Sequence, residues 1–375
     1  MSKPTDATLI TTPLDALHHE LDARMVPFAG HSLPVQYAGG IIAEHTHTRE
    51  KASLFDVSHM GQVTLSGNDA IAELESLVPG NIAGLAEGRI RYTMLTKTDG
   101  CIIDDLMVGK AADHLRLVVN GARADVDLAH LHEQLGGDVS IDHHQGRALM
   151  ALQGPAAANI LAALNPAAAE MAFMSFLDLD IAGKHVSVSR CGYTGEDGYE
   201  ISTAAEDAEA VARALLAHED AAPAGLGSRD SLRLEAGLCL YGQDIDETTT
   251  PIEAGLRWAI TKRRLADGGF HGAKIIAEQA ETGPERRLVG LLPEGRAPAR
   301  PGVTILDAEG ATIGTITSGG FGATIGGPVA LGYVPQAHAE PGTELGLQIR
   351  KSIVPAKVTA LPFVPHNYFK SSAGS

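Results

Sequence analysis

The order of short apolar runs constrains this chain more than any other feature. Arg91–Thr96, Ile102–Val108 and His114–Asn120 are three such runs, separated by Asp-Gly or Gly-Lys turns, and a helical stretch, Ala122–Leu135, follows them. Runs of this length bounded by turn residues read as an antiparallel sheet. A second cycle follows: strand Ala148–Leu152, helix Gly154–Leu164, strands His185–Arg190 and Tyr199–Thr203, then helix Glu206–His218. From roughly Pro284 the texture changes. Leu288–Leu292, Gly302–Leu306, Thr312–Thr317, Val329–Val334 and Leu345–Ile349 are strand-like runs broken by Gly and Pro, which is the pattern of an all-β module. The prediction is an α+β chain with two layered units and a β module, rather than a parallel doubly wound sheet.

The amino-terminal part reads less regularly. Leu14–Arg24 carries leucines at helical spacing, Pro27 to Gly40 is marked as loop by Pro and Gly, and Ile42–Ala52 is a polar, His-rich helix candidate. Phe55–Leu65 reads as one strand and Asp69–Leu77 as a helix begun by Asp69. Gly272–Thr282 reads as the last helix before the change of texture.

Composition narrows the class. The 375 residues carry 46 acidic and 29 basic side chains, a net charge of −17, which disfavours broad contact with phosphate backbones, so nucleic-acid binding is not expected. No stretch approaches the roughly 18 uncharged apolar residues of a membrane span. Cys101, Cys191 and Cys239 are odd in number and form no Cys-x-x-Cys pair, so neither a disulfide framework nor a zinc ribbon is expected. Met1 to Leu14 shows no secretory or transit signal, which makes a reducing cytoplasm the expected home.

Three segments carry candidate chemistry. In Arg190–Ser202 a Gly-Glu-Asp-Gly turn joins two strands, and a plain hairpin is the simple reading. It leaves Glu200 unexplained, a carboxylate inside an alternating strand whose neighbours Tyr199 and Ile201 take the other face; burying it demands a partner. Ser228–Gly237 reads as a short helix with Ser228 as N-cap and Gly237 just past its end, placing Arg229 and Arg233 on one face. They suit either surface acids or an anionic ligand. In Gly100–Val108 the adjacent Asp104 and Asp105 interrupt an apolar strand. Neighbours point to opposite faces, so at least one is buried or lines a cavity, unless the pair marks a solvated strand end.

Other features are set aside. His45, His47 and His59 show no zinc spacing with a third ligand in phase and read as solvated loop histidines. Gly319–Gly327 lacks a Gly-Lys-Ser/Thr ending and reads as a loop. Lys262-Arg263-Arg264 is a basic run suited to a solvated helix end or to docking an acidic partner.

Taken in order, these segments resemble the T-protein family, the aminomethyltransferases of the glycine cleavage system. The resemblance rests on Phe28-Ala29-Gly30 with Leu33–Tyr37, Ser53–Met60, Asp104-Asp105-Leu106, Ala151–Pro155, Cys191–Ser202, Ser228–Gly242, and Pro362–Pro365 with Asn367-Tyr368. It implies a three-domain cloverleaf around a central folate channel: 1–50 with 146–283 as a first, discontinuous α+β domain, 51–145 as a second, and 284–375 as a carboxy-terminal β-barrel domain. It further implies transfer of an aminomethyl one-carbon unit from the lipoyl arm of H-protein to tetrahydrofolate, giving 5,10-methylenetetrahydrofolate, ammonia and dihydrolipoyl H-protein. Tetrahydrofolate is then a co-substrate and the lipoylated H-protein the partner, with no metal and no redox cofactor expected. By resemblance Asp105 is the catalytic acid, while Asp104 points the other way and serves structure. Glu200 would accept the pterin N–H donors, Arg229 and Tyr368 would contact substrate, and Met60, Tyr92, Asn120 and Tyr193 are expected to line the folate cavity. A folate-dependent demethylase of the same fold is the alternative. A folate-binding relative linked to iron–sulfur assembly would carry Lys-Gly-Cys-Tyr, and this chain has no Lys-Gly-Cys.

Overall fold

The computed structural model describes residues 9–370, so the first residues of the stretch judged to lack a targeting signal lie outside the described part. Its main body is one curled sheet of eleven strands. One half runs, in spatial order, Ala221–Ala224, Ala52–Asp56, Ala148–Gln153, Gly198–Thr203, Lys184–Arg190 and Ser175–Ile181. The other half runs Arg89–Thr96, Ile102–Lys110, His114–Val119, Gly61–Ser66 and Ser140–His143. Ladder pairing is antiparallel except between Ala221–Ala224 and Ala52–Asp56. The halves meet at a single register pair, Ser175 opposite Arg89. Two backbone bonds of 2.9 Å, Ile90 N–H to the Met174 carbonyl and Phe176 N–H to the Gly88 carbonyl, extend that seam.

Each half buries one face under helices because its strands alternate. In Ala148–Gln153, Ala148, Met150 and Leu152 join a core with Ile160, Leu161, Val211 and Leu215 from the helices Ala157–Leu164 and Ala208–Leu216. Leu149 and Ala151 point the other way, toward Phe55, Val57 and Leu232. The second half does the same: Leu106, Val108, Leu115 and Leu117 pack on Leu74, Leu77 and Leu131 from the helices Ala70–Leu77 and Ala124–Gln134. Both inner faces therefore turn toward a shared concave side. The fold agrees with the α+β expectation, with the two predicted sheets fused into one.

The carboxy-terminal module is a closed barrel of Arg286–Pro293, Gly327–Pro335, Thr312–Gly322, Thr304–Leu306, Glu344–Ile349 and Ser352–Thr359, the last pairing back onto the first. Its interior is aliphatic, including Leu291, Ile305, Ile316, Leu347 and Val358. A separate cluster joins barrel to sheet, bringing Leu288, Val329, Leu331 and Tyr333 against Met94, Ile102 and Leu234.

Several local expectations change. Phe55–Leu65 is two strands, not one. Asp56 Oδ1 accepts the Ser58 N–H at 2.9 Å and Met60 N–H bonds the Val57 carbonyl at 3.0 Å, so the chain turns and crosses from one sheet half to the other. The expected loop from Pro27 to Gly40 contains the strand His31–Gln36, which pairs with Arg24–Phe28 and, in parallel, with Ile10–Thr11; a register shift at Arg24/Met25 accompanies Pro34, which has no N–H to give. Gly319 to Gly322 belong to a barrel strand. A Cβ on Gly319 would sit 1.8 Å from the Ala299 carbonyl oxygen, so close backbone approach rather than looping explains that glycine.

Candidate functional site

The inner face of the second sheet half presents Asp105. Its strand, Ile102–Lys110, alternates so that Asp104, Leu106 and Val108 are buried on the helix side, while Asp105 and Met107 face the concave side and stay half-buried. Two donors hold the carboxylate. The Tyr92 hydroxyl donates to Oδ2 at 3.0 Å and the Asn120 side-chain amide to Oδ1 at 2.8 Å. Burial and the neighbouring Asp104 push its proton affinity up to about 7, against the pull of those two hydrogen bonds. A carboxyl poised there is able to exchange a proton near neutrality.

The inner face of the first half presents Glu200. It lies between Ala151 and Ser189 on the flanking strands, with Tyr199 and Ile201 buried on the opposite side. The sheet therefore removes Glu200 from the apolar core that its sequence context suggested and places it on the concave face. The Cys191 thiol donates to Oε2 at 3.6 Å. A cavity of ≈ 40 Å³ opens there, lined by Glu200, Cys191, Met107, Val118, Phe176 and Arg116 among others. A larger hollow of ≈ 590 Å³ lies on the barrel flank beside Glu253 and Arg286, and none of the expected site residues lines it. Of the expected site residues, Glu200 alone lines the smaller cavity.

Arg229 comes from the helix Leu226–Glu235, whose N-cap is Gly225 rather than Ser228. Ser228 lies inside, its hydroxyl bonding Glu44 Oε2 at 3.0 Å and the Gly225 carbonyl at 2.9 Å. Gly225 is required because a Cβ would meet Val35 and Gln36 backbone atoms at 2.4–2.6 Å. At the other end Gly237, with φ of +65°, closes a Schellman arrangement: Gly237 N–H bonds the Leu234 carbonyl and Leu238 N–H the Arg233 carbonyl, each at 3.0 Å. Arg229 and Arg233 do not share a role. Arg233 is buried against Asp244 at 2.7 Å. Arg229 lies over the Tyr193 ring, 4.9 Å from its centroid, and its Nη1 is buried without a hydrogen-bond partner. Burial lowers the proton affinity of that guanidinium, and Glu200, Tyr193 and Cys191 act to restore it.

Tyr193 bridges the two corners. Its ring carries Arg229, its hydroxyl donates to the Cys239 carbonyl, and the Asp105 charge reaches its phenol. Met60 packs beside Val118 on the inner apolar cluster. Tyr368 belongs to the carboxy-terminal segment, and burial together with the nearby Cys191 raises its proton affinity. It stacks on Phe173 at 4.5 Å, and the segment is tied down where Asn367 N–H bonds the Gly195 carbonyl and its amide bonds both Glu196 oxygens. The structure thus gathers Asp105, Tyr92, Asn120, Tyr193, Arg229 and Glu200 on the concave side. Met60 and Tyr368 each neighbour a residue that lines the Glu200 cavity, Val118 and Cys191 respectively.

Sequence reasoning overlooked Cys191, for which a lone buried cysteine before the Gly-Tyr turn was the available signal. It also overlooked Trp258, the single tryptophan, which is 67% exposed and stacks on Tyr92 at 5.3 Å. Two readings are corrected. His45 and His59 are buried, not solvated: His45 bonds Glu235, Ser231 and Thr324, and His59 lies by Arg229, its Nδ1 unpartnered and its proton affinity held down to about 4 by burial and that guanidinium. Arg264 is buried, holding the Glu75, Val78 and Gly268 carbonyls, so of the basic run only Lys262 and Arg263 are exposed for docking. Among the described residues no group of three or more His, Cys, Asp or Glu side chains is arranged to hold a metal.

Comparison with known proteins gives a consistent result. The family description "GCVT N-terminal domain" matches residues 14–264, and "Glycine cleavage T-protein C-terminal barrel domain" matches residues 286–365. The chain is 48% identical to the mitochondrial aminomethyltransferase of Gallus gallus, covering 96% of this chain and 93% of that one. It is 47% identical to the mitochondrial aminomethyltransferase of Solanum tuberosum, covering 98% and 92%. In three dimensions it is similar to the glycine cleavage system aminomethyltransferase T of Bartonella henselae, with a TM-score of 0.92, 41% identity, and coverage of 97% and 100%.

Proposed function

This chain belongs to the glycine cleavage T-protein family of aminomethyltransferases, and from that premise we propose that its concave site moves an aminomethyl one-carbon unit from the lipoyl arm of H-protein to tetrahydrofolate. The products are 5,10-methylenetetrahydrofolate, ammonia and dihydrolipoyl H-protein. One observation carries the reading: Glu200, a half-buried carboxylate, lines this cavity, and the Arg229 guanidinium, whose Nη1 has no hydrogen-bond partner, lies close enough to feel its charge.

The residues fit a reduced pteridine. Its adjacent N–H donors match the two oxygens of Glu200, of which one meets only a thiol. Arg229, held over the Tyr193 ring, has a free donor for a ligand carbonyl or carboxylate. Asp105, in its ionised form, stabilises positive charge as the folate nitrogen attacks the one-carbon unit, or takes up the proton that nitrogen loses. Tyr92 and Asn120 hold its two oxygens in place for that task. Tyr368 and Met60 line the approach. At ≈ 40 Å³ the cavity is far below the several hundred Å³ of a typical ligand site, so side chains around it must move when folate enters.

A three-domain division accompanies this reading, with the first crossing placed after Asp56, since Ala52–Asp56 pairs in the first sheet half. A reducing cytoplasm suits the three free thiols, and cell fractionation tests it. The decisive assay follows 5,10-methylenetetrahydrofolate formation from aminomethylated H-protein. Formation supports the transferase. Turnover with a methylated amine or sulfonium in place of H-protein would instead establish a demethylase.

A further inference from the structure

Behind Asp105, on the helix side of the same strand, lies a second acidic group with no part in the proposed chemistry. Asp104 and Asp127 are both 0% exposed, Asp104 on the strand Ile102–Lys110 and Asp127 on the helix Ala124–Gln134 packed against it. Their carboxyls are within hydrogen-bond reach of each other. Asp104 accepts from Asn120 twice, the backbone N–H at 3.1 Å and the side-chain amide at 2.8 Å. Among the described residues, neither oxygen of Asp127 accepts a hydrogen bond from any N–H or from any hydroxyl of Ser, Thr or Tyr.

Two ionised carboxylates cannot share a dry contact among Leu106, Leu117 and Leu131 without a compensating donor. The cation nearest Asp127 is Arg123; it pairs through Nη2 with Glu247 at 2.6 Å and lies over the Tyr241 ring, and although its charge favours the Asp127 anion, its buried Nε makes no hydrogen bond to either Asp127 oxygen. A single proton resolves the conflict. As a carboxyl, one member donates to the other and supplies the hydrogen bond that Asp127 lacks. Burial and the like charge both act to retain that proton above the ordinary carboxylate range.

We propose that Asp104 and Asp127 share one proton across the sheet–helix contact, and that this pair acts as a positioning and charge-setting device for Asp105. The inference rests on the catalytic role proposed for Asp105. The link is Asn120, whose side-chain amide has two hydrogens and three acceptors: Asp104 Oδ1 at 2.8 Å, Asp105 Oδ1 at 2.8 Å and the Asp105 carbonyl at 3.1 Å. More negative charge on Asp104 draws that amide away from Asp105 and also repels the Asp105 anion; less does the reverse. The other titratable groups facing the assembly are Arg123 and Tyr241 beside the pair, and Tyr92, Tyr193 and Cys239 beside Asp105.

Two substitutions separate this device from a merely structural role. Asp127→Asn places the whole negative charge on Asp104, next to Asp105, so the acid limb of the pH–rate profile moves up by about half a unit to one unit. Asp104→Asn places it on Asp127, farther away, so the limb moves down by a similar amount. A structural role lowers the rate in both without opposite shifts, and shifts of one sign, or none, overturn the proposal. Isotope-edited infrared spectroscopy of the wild type needs neither turnover nor a variant. At about pH 8, with Asp105 ionised, one aspartic carboxyl band is expected to persist, and its absence overturns the proposal. A persisting band in a protein inactive toward aminomethylated H-protein would count against the functional reading alone.

Discussion

Asp105 is held by opposing influences: burial and Asp104 favour its proton, while the hydroxyl of Tyr92 and the amide of Asn120 favour its anion. With the balance near 7, the ionised form required by the proposed chemistry is lost as pH falls through that value. The single-turnover rate is therefore expected to drop on the acid side of about pH 7, and Asp105→Asn is expected to remove that limb while slowing turnover about 10²–10⁴-fold and leaving folate affinity near wild type. An unchanged rate in that variant would take Asp105 out of the mechanism. Glu200→Ala should act on binding instead. Losing a charged acceptor for the pterin donors costs about 1.5–3 kcal/mol, roughly ten- to a hundredfold in affinity. Trp258 gives a direct readout, since the only indole stacks on Tyr92 beside Asp105 and its emission should respond to folate. A titration curve that Glu200→Ala does not displace contradicts the assignment. Both residues were accessible to sequence reasoning because a carboxylate in an apolar strand is conspicuous. Asp127 was not, because an acid in the first turn of a helix looks like an ordinary dipole partner until the packing shows Asp104 against it.

Elements were readable where one face is buried and one is not. Gly198–Thr203 alternates from Tyr199 onward, while Ala148–Gln153, buried along its whole length, reads as a short apolar run; their expected positions differ from the observed ones by about one residue. The strand Ser175–Ile181 escaped because Leu177 is exposed and blurs the alternation. The Phe55–Leu65 run hid a turn because Val57 stays fully buried as the chain changes sheet halves. The helix Leu226–Glu235 began early for a tertiary reason: Gly225 lets its start press on the Val35–Gln36 backbone, and no pattern within the helix announces that neighbour. Gly225→Ala is accordingly expected to push the helix off the strand His31–Gln36. It should cost about 1–3 kcal/mol in denaturant titrations and weaken folate binding, because Arg229 travels with the helix. Wild-type stability together with wild-type affinity would show that the close approach at Gly225 does not position the arginine.

At the scale of the whole molecule, the barrel and the sheet are held by buried charge as well as by apolar contact. Glu235, at the end of that same helix, accepts Thr324 N–H at 2.8 Å and Ile325 N–H at 3.2 Å from a barrel hairpin, and its other oxygen meets the His45 ring at 3.0 Å and Arg49 at 3.4 Å. Asp244 plays the matching part nearby, receiving Arg233, Ser318 and Thr317. Because these carboxylates sit where site and barrel meet, the junction and the catalytic face share a helix and should fail together. Burial alone would raise the proton affinity of Glu235, but the hydrogen bonds from His45, Thr324 and Ile325 outweigh it and hold the group down to about 2. A depressed carboxyl contributes stability that is complete above its unfolded value near 4.5 and disappears as pH falls toward 2. Acid should therefore loosen the barrel across that window, and Glu235→Gln should flatten the pH dependence there while lowering stability at neutral pH. Intrinsic emission from Trp258, on the sheet side, and hydrogen exchange of barrel amides such as Ile325 are expected to report one shared transition. If the barrel amides exchange at a pH where Trp258 is unmoved, the junction does not couple the two units.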